Sequence, residues 1–108
     1  MTTYNQKLYS AVLAKILKSN TDTYIIFYKK TCPYCIRALE KLKETNSNYK
    51  GYDINKIGGT DILLDILKKY QSKLDFDPTH RTIPIIFYNR KFIGGSDELI
   101  ERLEQKLN

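Results

Sequence analysis

The stretch TYIIFYKKTCPYC, residues 23–35, joins two different periodicities with almost no linker between them. TYIIFYKK is a compact β-branched and aromatic run, which predicts a buried strand at about residues 23 to 29. Beyond it, Cys35, Ala38, Leu39 and Leu42 recur on one helical face while Arg37, Glu40, Lys41 and Glu44 fall on the other. That pattern predicts a helix beginning near Cys32 and ending by Thr45. A strand running straight into a helix confines the Cys-Pro-Tyr-Cys tetrapeptide, and with it both cysteines of the chain, to a helix N-terminus.

The remaining segments surround this unit. Leu8, Val12, Leu13, Ile16 and Leu17 predict an amphipathic helix over about residues 4 to 19, ending at Ser19-Asn20. NYKGYDI is a weaker strand signal, and Ile62, Leu63, Ile66, Leu67 and Tyr70 mark a helix after Gly58-Gly59. SKLDFDPTHR reads as a loop. TIPIIFYNRKFIGG reads as two short strands around a turn at Asn89-Arg90, and Leu99, Ile100, Leu103 and Leu107 mark a last helix. The order is α-β-α-β-α-β-β-α. A helix between the first two strands favours a parallel crossover, and the tight YNRK connection favours an antiparallel hairpin. The expected fold class is α/β, a four-stranded mixed sheet with helices on both faces. GGTD (58–61) and GGSD (94–97) each precede a helix, with glycine supplying a turn and Thr60 or Ser96 capping.

A chain of 108 residues is expected to form one domain, residues 1–108. It has no apolar run near the ~20 residues of a membrane span, and MTTYNQKLYSAVLAKILKSN lacks the features of a secretory signal, so a cytoplasmic location and no membrane partner are expected. The net charge of +6 is spread over dispersed lysines rather than a basic tract, which argues against a nucleic-acid partner.

A structural zinc site needs four ligands, and the chain offers one cysteine pair and a single histidine, His80. A disulfide between Cys32 and Cys35 would close a very small loop and constrain the unfolded chain little. Redox chemistry is the favoured reading. At the start of a helix, Cys32 meets unpaired backbone N–H groups and the positive end of the dipole, which stabilise a negative sulfur. Pro33 suits the first turn because it has no amide hydrogen to lose there. Cys35, one turn on, joins the apolar face and should be less exposed. Two buried cysteines acting as small hydrophobes, or a metal or cluster shared between subunits, are the alternatives that the residues leave open.

KKTCPYC, RTIP and IGGSDEL, in that order, resemble a dithiol glutaredoxin of the thioredoxin-like superfamily, over nearly the whole chain. The resemblance implies a thioredoxin-like fold and a glutathione-dependent thiol-disulfide oxidoreductase with an electron-transport role. Glutathione is implied as co-substrate, glutathionylated or disulfide-containing proteins as partners, a monomeric state, and no metal. It implies that Cys32 is the nucleophile that takes glutathione as a mixed disulfide and Cys35 the resolving cysteine. Lys29 matches a lysine near the glutathione glycine carboxylate, and Tyr34 a tyrosine lining the groove. Thr82, Ile83 and Pro84 match a Thr-Val-Pro segment whose cis proline faces the cysteine, with the Ile83 backbone open to an extended peptide. Gly94, Gly95, Ser96 and Asp97 match the turn that receives the γ-glutamyl end: Gly95 for close approach, helix amides for a carboxylate, Asp97 or Glu98 for the ammonium group. QSKLDFDPTH is longer than the family connection, so no residue from 60 to 80 is assigned; His80 reads as a loop residue and Arg81 as an anion-assisting or surface charge. A thioredoxin-like enzyme served by a flavoprotein reductase is the nearest rival, disfavoured by the lack of tryptophan. Pro33 argues against cluster binding.

Overall fold

A computed structural model describes residues 3–107. Its elements follow the expected order: α1 (Thr3–Leu17), β1 (Tyr24–Tyr28), α2 (Pro33–Glu44), β2 (Tyr49–Asp53), a 3-10 turn (Ile54–Ile57), α3 (Thr60–Lys69), α4 (Gln71–Leu74), β3 (Ile85–Tyr88), β4 (Lys91–Gly94) and α5 (Ser96–Leu107). The sheet order is β2-β1-β3-β4. β1 runs parallel to β2 and antiparallel to β3, and β3 pairs antiparallel with β4. Asn89 and Arg90, at φ 48° and 70°, form the two-residue turn whose backbone twist suits an antiparallel hairpin.

Strand alternation distributes the core to both faces of the sheet. Ile25, Phe27, Ile85 and Phe87 pack with Val12 and Ile16 of α1 and Leu63, Ile66 and Leu67 of α3. Tyr24, Ile26 and Ile86 pack on the opposite face with Ala38 and Leu42 of α2 and Leu99 and Leu103 of α5. The helices therefore cover both faces. Two interactions hold α5 on its layer: Arg102 lies 4.5 Å from the Tyr88 ring centroid and donates to the Tyr24 hydroxyl at 3.1 Å.

Four local expectations are corrected. Helix α1 stops at Leu17 because the Ser19 hydroxyl and amide both bond to the Ile16 carbonyl, ending the ladder. The segment expected to be loop begins inside α4, and it buries Leu74 and Phe76; Asp75 takes φ 57° and the Phe76 amide bonds back to the Gln71 carbonyl, which turns both side chains inward. Ile62 is 40% exposed, whereas Leu64 is buried in its place. Neither Thr60 nor Ser96 occupies the expected cap position: Gly59 precedes α3, the buried Thr60 hydroxyl has no hydrogen-bond partner, and α5 begins with Ser96 already in its first turn. Among the described residues no helix is long and apolar enough to cross a membrane.

Candidate active site

The turn after β1 sets the position of Cys32. Its amide bonds to the Lys29 carbonyl at 3.2 Å and its carbonyl accepts the first helical bond from Ile36 at 3.0 Å. Cys32 is the N-cap of α2, in extended backbone (φ −89°, ψ 114°), and Pro33 follows as the first helical residue. In the place of the usual capping oxygen stands sulfur: Cys32 Sγ accepts the Cys35 amide at 3.2 Å. Negative charge developing on that sulfur is met by the N–H and by the positive end of the α2 dipole.

The second thiol has different surroundings. Cys35 is fully buried, with Ala38 and Leu42 on the inner face of α2, while Tyr34 and Ile36 beside it are 58% and 44% exposed. Burial, then hydrogen bonding to Cys32, pushes the Cys35 thiol from 9.0 up to about 12. The two sulfurs are therefore inequivalent: one half-buried at a helix terminus, the other protonated in the core.

Across from Cys32, residues more than fifty positions away complete a cleft. The Cys32 thiol points at the Ile83 carbonyl, 3.9 Å from it, and the Ile83–Pro84 bond is cis. Pro84 is buried immediately before β3, and its carbonyl would lie 3.4 Å from any Cβ at Gly95. This close approach packs the β4–α5 turn against the Thr82–Pro84 segment. Tyr34, His80, Thr82, Ile83, Gly95, Ser96, Asp97 and Glu98 line the resulting cleft of about 420 Å³.

Of the residues singled out from the sequence, Tyr34, Thr82, Ile83, Gly95, Ser96 and Asp97 line this cleft, and Cys32, not itself in the lining, faces Ile83. Pro84 stands behind the lining, and Lys29, half-buried, is outside it. Two lining residues escaped assignment to a definite place. Glu98 accepts the Gly95 amide at 2.7 Å, the backward half of a capping box, so its carboxylate helps shape the turn. Its spacing from Gly95 was the available signal. His80 enters the wall through a turn in which Asp77 Oδ1 accepts the Thr79 amide and hydroxyl at 2.9 and 2.7 Å. Those bonds hold the Asp77 carboxyl below its ordinary value, with His80 nearby adding a smaller contribution. The Asp-Pro-Thr sequence announces a turn, but not which way the next ring points. Among the described residues no three of His, Cys, Asp and Glu gather closely enough to hold a metal.

Comparison with known proteins agrees with this arrangement. The glutaredoxin family model matches residues 24–93, more than half of the chain. The chain is 46% identical over 96 residues to a probable glutaredoxin of Acanthamoeba polyphaga mimivirus, covering 88% of this chain and 91% of that protein. It is 34% identical over 91 residues to glutaredoxin-1 of Gallus gallus, covering 84% and 80%. A buckwheat glutaredoxin–glutathione complex has the same fold, with a TM-score of 0.72 over 98% of this chain and 88% of that one at 19% identity. The chain belongs to the glutaredoxin family, and so to the oxidoreductases that act on disulfides with glutathione.

Proposed function

We propose that this glutaredoxin reduces glutathione mixed disulfides through Cys32 alone and protein disulfides through Cys32 and Cys35 together, as a cytoplasmic monomer formed by a single domain over residues 1–108. The observation that carries the reading is the inequivalence of the two thiols, with Cys32 half-buried, capped by an amide and facing Ile83 of a cleft able to hold a short peptide, and Cys35 buried and protonated. The buckwheat protein bound to glutathione supports glutathione as the occupant here.

In the monothiol reaction the Cys32 thiolate attacks the glutathione sulfur of a protein mixed disulfide. A Cys32–glutathione bond forms, the protein–glutathione bond breaks, and the protein thiolate leaves and takes up a proton. A second glutathione thiolate attacks the glutathionyl sulfur, releasing oxidised glutathione and restoring the Cys32 thiolate. In the dithiol reaction Cys32 first attacks a protein disulfide; Cys35 then loses its proton and attacks Cys32, giving the Cys32–Cys35 disulfide and a fully reduced protein. Two glutathione molecules supply the electrons that reset the enzyme. Burial is the largest influence that holds the proton on Cys35 and hydrogen bonding to Cys32 the next, and capture of Cys32 in a mixed disulfide relieves the second.

In the bound complex Tyr34 lines one wall, the Ile83 backbone pairs with the peptide, and Thr82 and Pro84 set that segment. Ser96 and Asp97 receive the zwitterionic end beside Gly95, with Lys29 serving the glycine carboxylate. Disulfide-containing proteins are the partners it serves as electron donor, and no metal is required.

The test is turnover of a small glutathione mixed disulfide, coupled to glutathione, NADPH and glutathione reductase, alongside reduction of a protein disulfide. Wild type performs both, Cys35→Ser keeps the first and loses the second, and Cys32→Ser performs neither. Activity in Cys32→Ser would remove this cysteine from the nucleophile's role.

A further inference from the structure

Outside the cysteines, one polar atom in the cleft wall has no counterpart. His80 Nε2 is excluded from solvent and has no hydrogen-bond partner. Its ring is held edge-on to Phe92 and Phe76, with centroids 5.0 and 6.4 Å away, and its backbone amide is tied to the Asp77 carbonyl at 3.0 Å. A phenyl ring would fill that slot without stranding a nitrogen, so packing alone does not account for an imidazole. The ring's Cε1, which joins its two nitrogens, stands 3.7 Å from where a Cβ at Gly95 would be, so the ring edge that carries Nε2 lies beside the turn that opens α5.

That turn specifies the chemistry of the missing partner. The Gly95 amide is already engaged by Glu98, whereas the amides of Ser96 and Asp97, in the first turn of a twelve-residue helix, have no intrahelical acceptor. An anionic oxygen entering here meets those N–H groups and the helix dipole, and the exposed Asp97 carboxylate beside them suits a cation. A free α-amino acid end, with one carboxylate and one ammonium, matches both. Glutathione carries one such end, on its γ-glutamyl residue.

We propose that His80 is a specificity-determining residue of the cleft, its Nε2–H donating to the carboxylate of the γ-glutamyl end. This rests on the cleft being the glutathione site, and it requires the ring edge to slide past Gly95 as the ligand seats. A cysteinylglycine portion, which lacks the γ-glutamyl carboxylate, would gain nothing from His80.

The test compares mixed disulfides of one small thiol with glutathione and with cysteinylglycine, using wild type, His80→Phe and His80→Gln. Wild type should prefer the glutathionyl substrate. His80→Phe, which keeps the aromatic packing, should raise KM for that substrate roughly tenfold, as expected for a lost hydrogen bond to a charged group, with kcat little changed. It should leave the cysteinylglycine substrate unaffected, and His80→Gln should recover part of the loss. Equal effects on both substrates, or none, in an enzyme that still prefers glutathione would overturn the role of His80 and leave the glutathione site standing. Absence of the preference in wild type would overturn both. His80 is the chain's only histidine, so its imidazole nitrogen resonances are unambiguous without any change at that position. The Nε2 signal should move when Cys32 is trapped with glutathione in the Cys35→Ser protein and stay unchanged when it is trapped with cysteinylglycine. The same signal in both adducts would also refute the contact.

Discussion

Gly94→Ala tests whether the β4–α5 turn is built as the structure indicates. Gly94 has φ +127°, a region that costs a residue with a Cβ about 1–2 kcal/mol. The added methyl would lie 2.6 Å from Glu98 Oε1, 2.7 Å from its Cγ and 2.9 Å from its Cβ. The Glu98 side chain can swing away only by releasing the Gly95 amide, a charge-assisted bond worth about 1 kcal/mol at this half-exposed site. Its Cβ is fixed to the helix, so relieving that contact shifts α5 for about 1 kcal/mol more. The stiffer unfolded chain returns about 0.5 kcal/mol. The balance is a loss of about 3 kcal/mol, or about 12 °C in Tm at roughly 4 °C per kcal/mol for a domain of this size. In a Glu98→Ala background the bond and the Oε1 and Cγ contacts are already gone, so the same substitution should cost about 2 kcal/mol, a coupling of about 1 kcal/mol. Urea unfolding of the four proteins under reducing conditions measures this. A loss below about 1 kcal/mol for Gly94→Ala, or the same loss in both backgrounds, would refute the reasoning.

Two further predictions concern groups that the fold buries. Folded Cys35 keeps its proton to about 12 and the unfolded thiol releases it near 9.0, so between these values the unfolded state binds fewer protons and stability falls as pH rises. By pH 10.5 wild type should therefore have lost about 1–2 kcal/mol more than Cys35→Ala, relative to pH 8; parallel urea-unfolding profiles for the two proteins would contradict the burial of this thiol. Thr60→Val replaces a buried hydroxyl that has no partner with a methyl of similar shape, and should be neutral or stabilising by up to about 1 kcal/mol in thermal denaturation. A loss above about 1 kcal/mol would mean that the hydroxyl is bonded after all.

What the sequence determined by itself was whatever a few consecutive residues decide. The compact run at about 23–29, the helical spacing from Cys35 to Leu42 and the Asn-Arg turn each carry their own local preference, and the structure has β1, α2 and the β3–β4 hairpin where those signals lie. Cys32 at a helix start and Cys35 on its inner face followed from the same local geometry. The Thr-Ile-Pro and Gly-Gly-Ser-Asp motifs named two further pieces of the site by resemblance. The resemblance also set the Thr82–Pro84 segment opposite Cys32, where the structure has it, whereas tertiary structure alone decided that Gly95 packs against the Pro84 carbonyl and that His80 turns into the wall while Lys29 stays outside it. Leu74 and Phe76 looked like loop residues because two apolar side chains set no period, yet the core had space for them once Asp75 turned the chain. Caps misled for a related reason: a Ser or Thr after glycine is a cap only if the helix starts one residue later, and here Glu98, reaching back from within α5, supplies the bond. Strand and helix preferences act over a few residues, whereas the path of a loop and the partner of a buried polar atom are settled by whatever the rest of the chain packs against them.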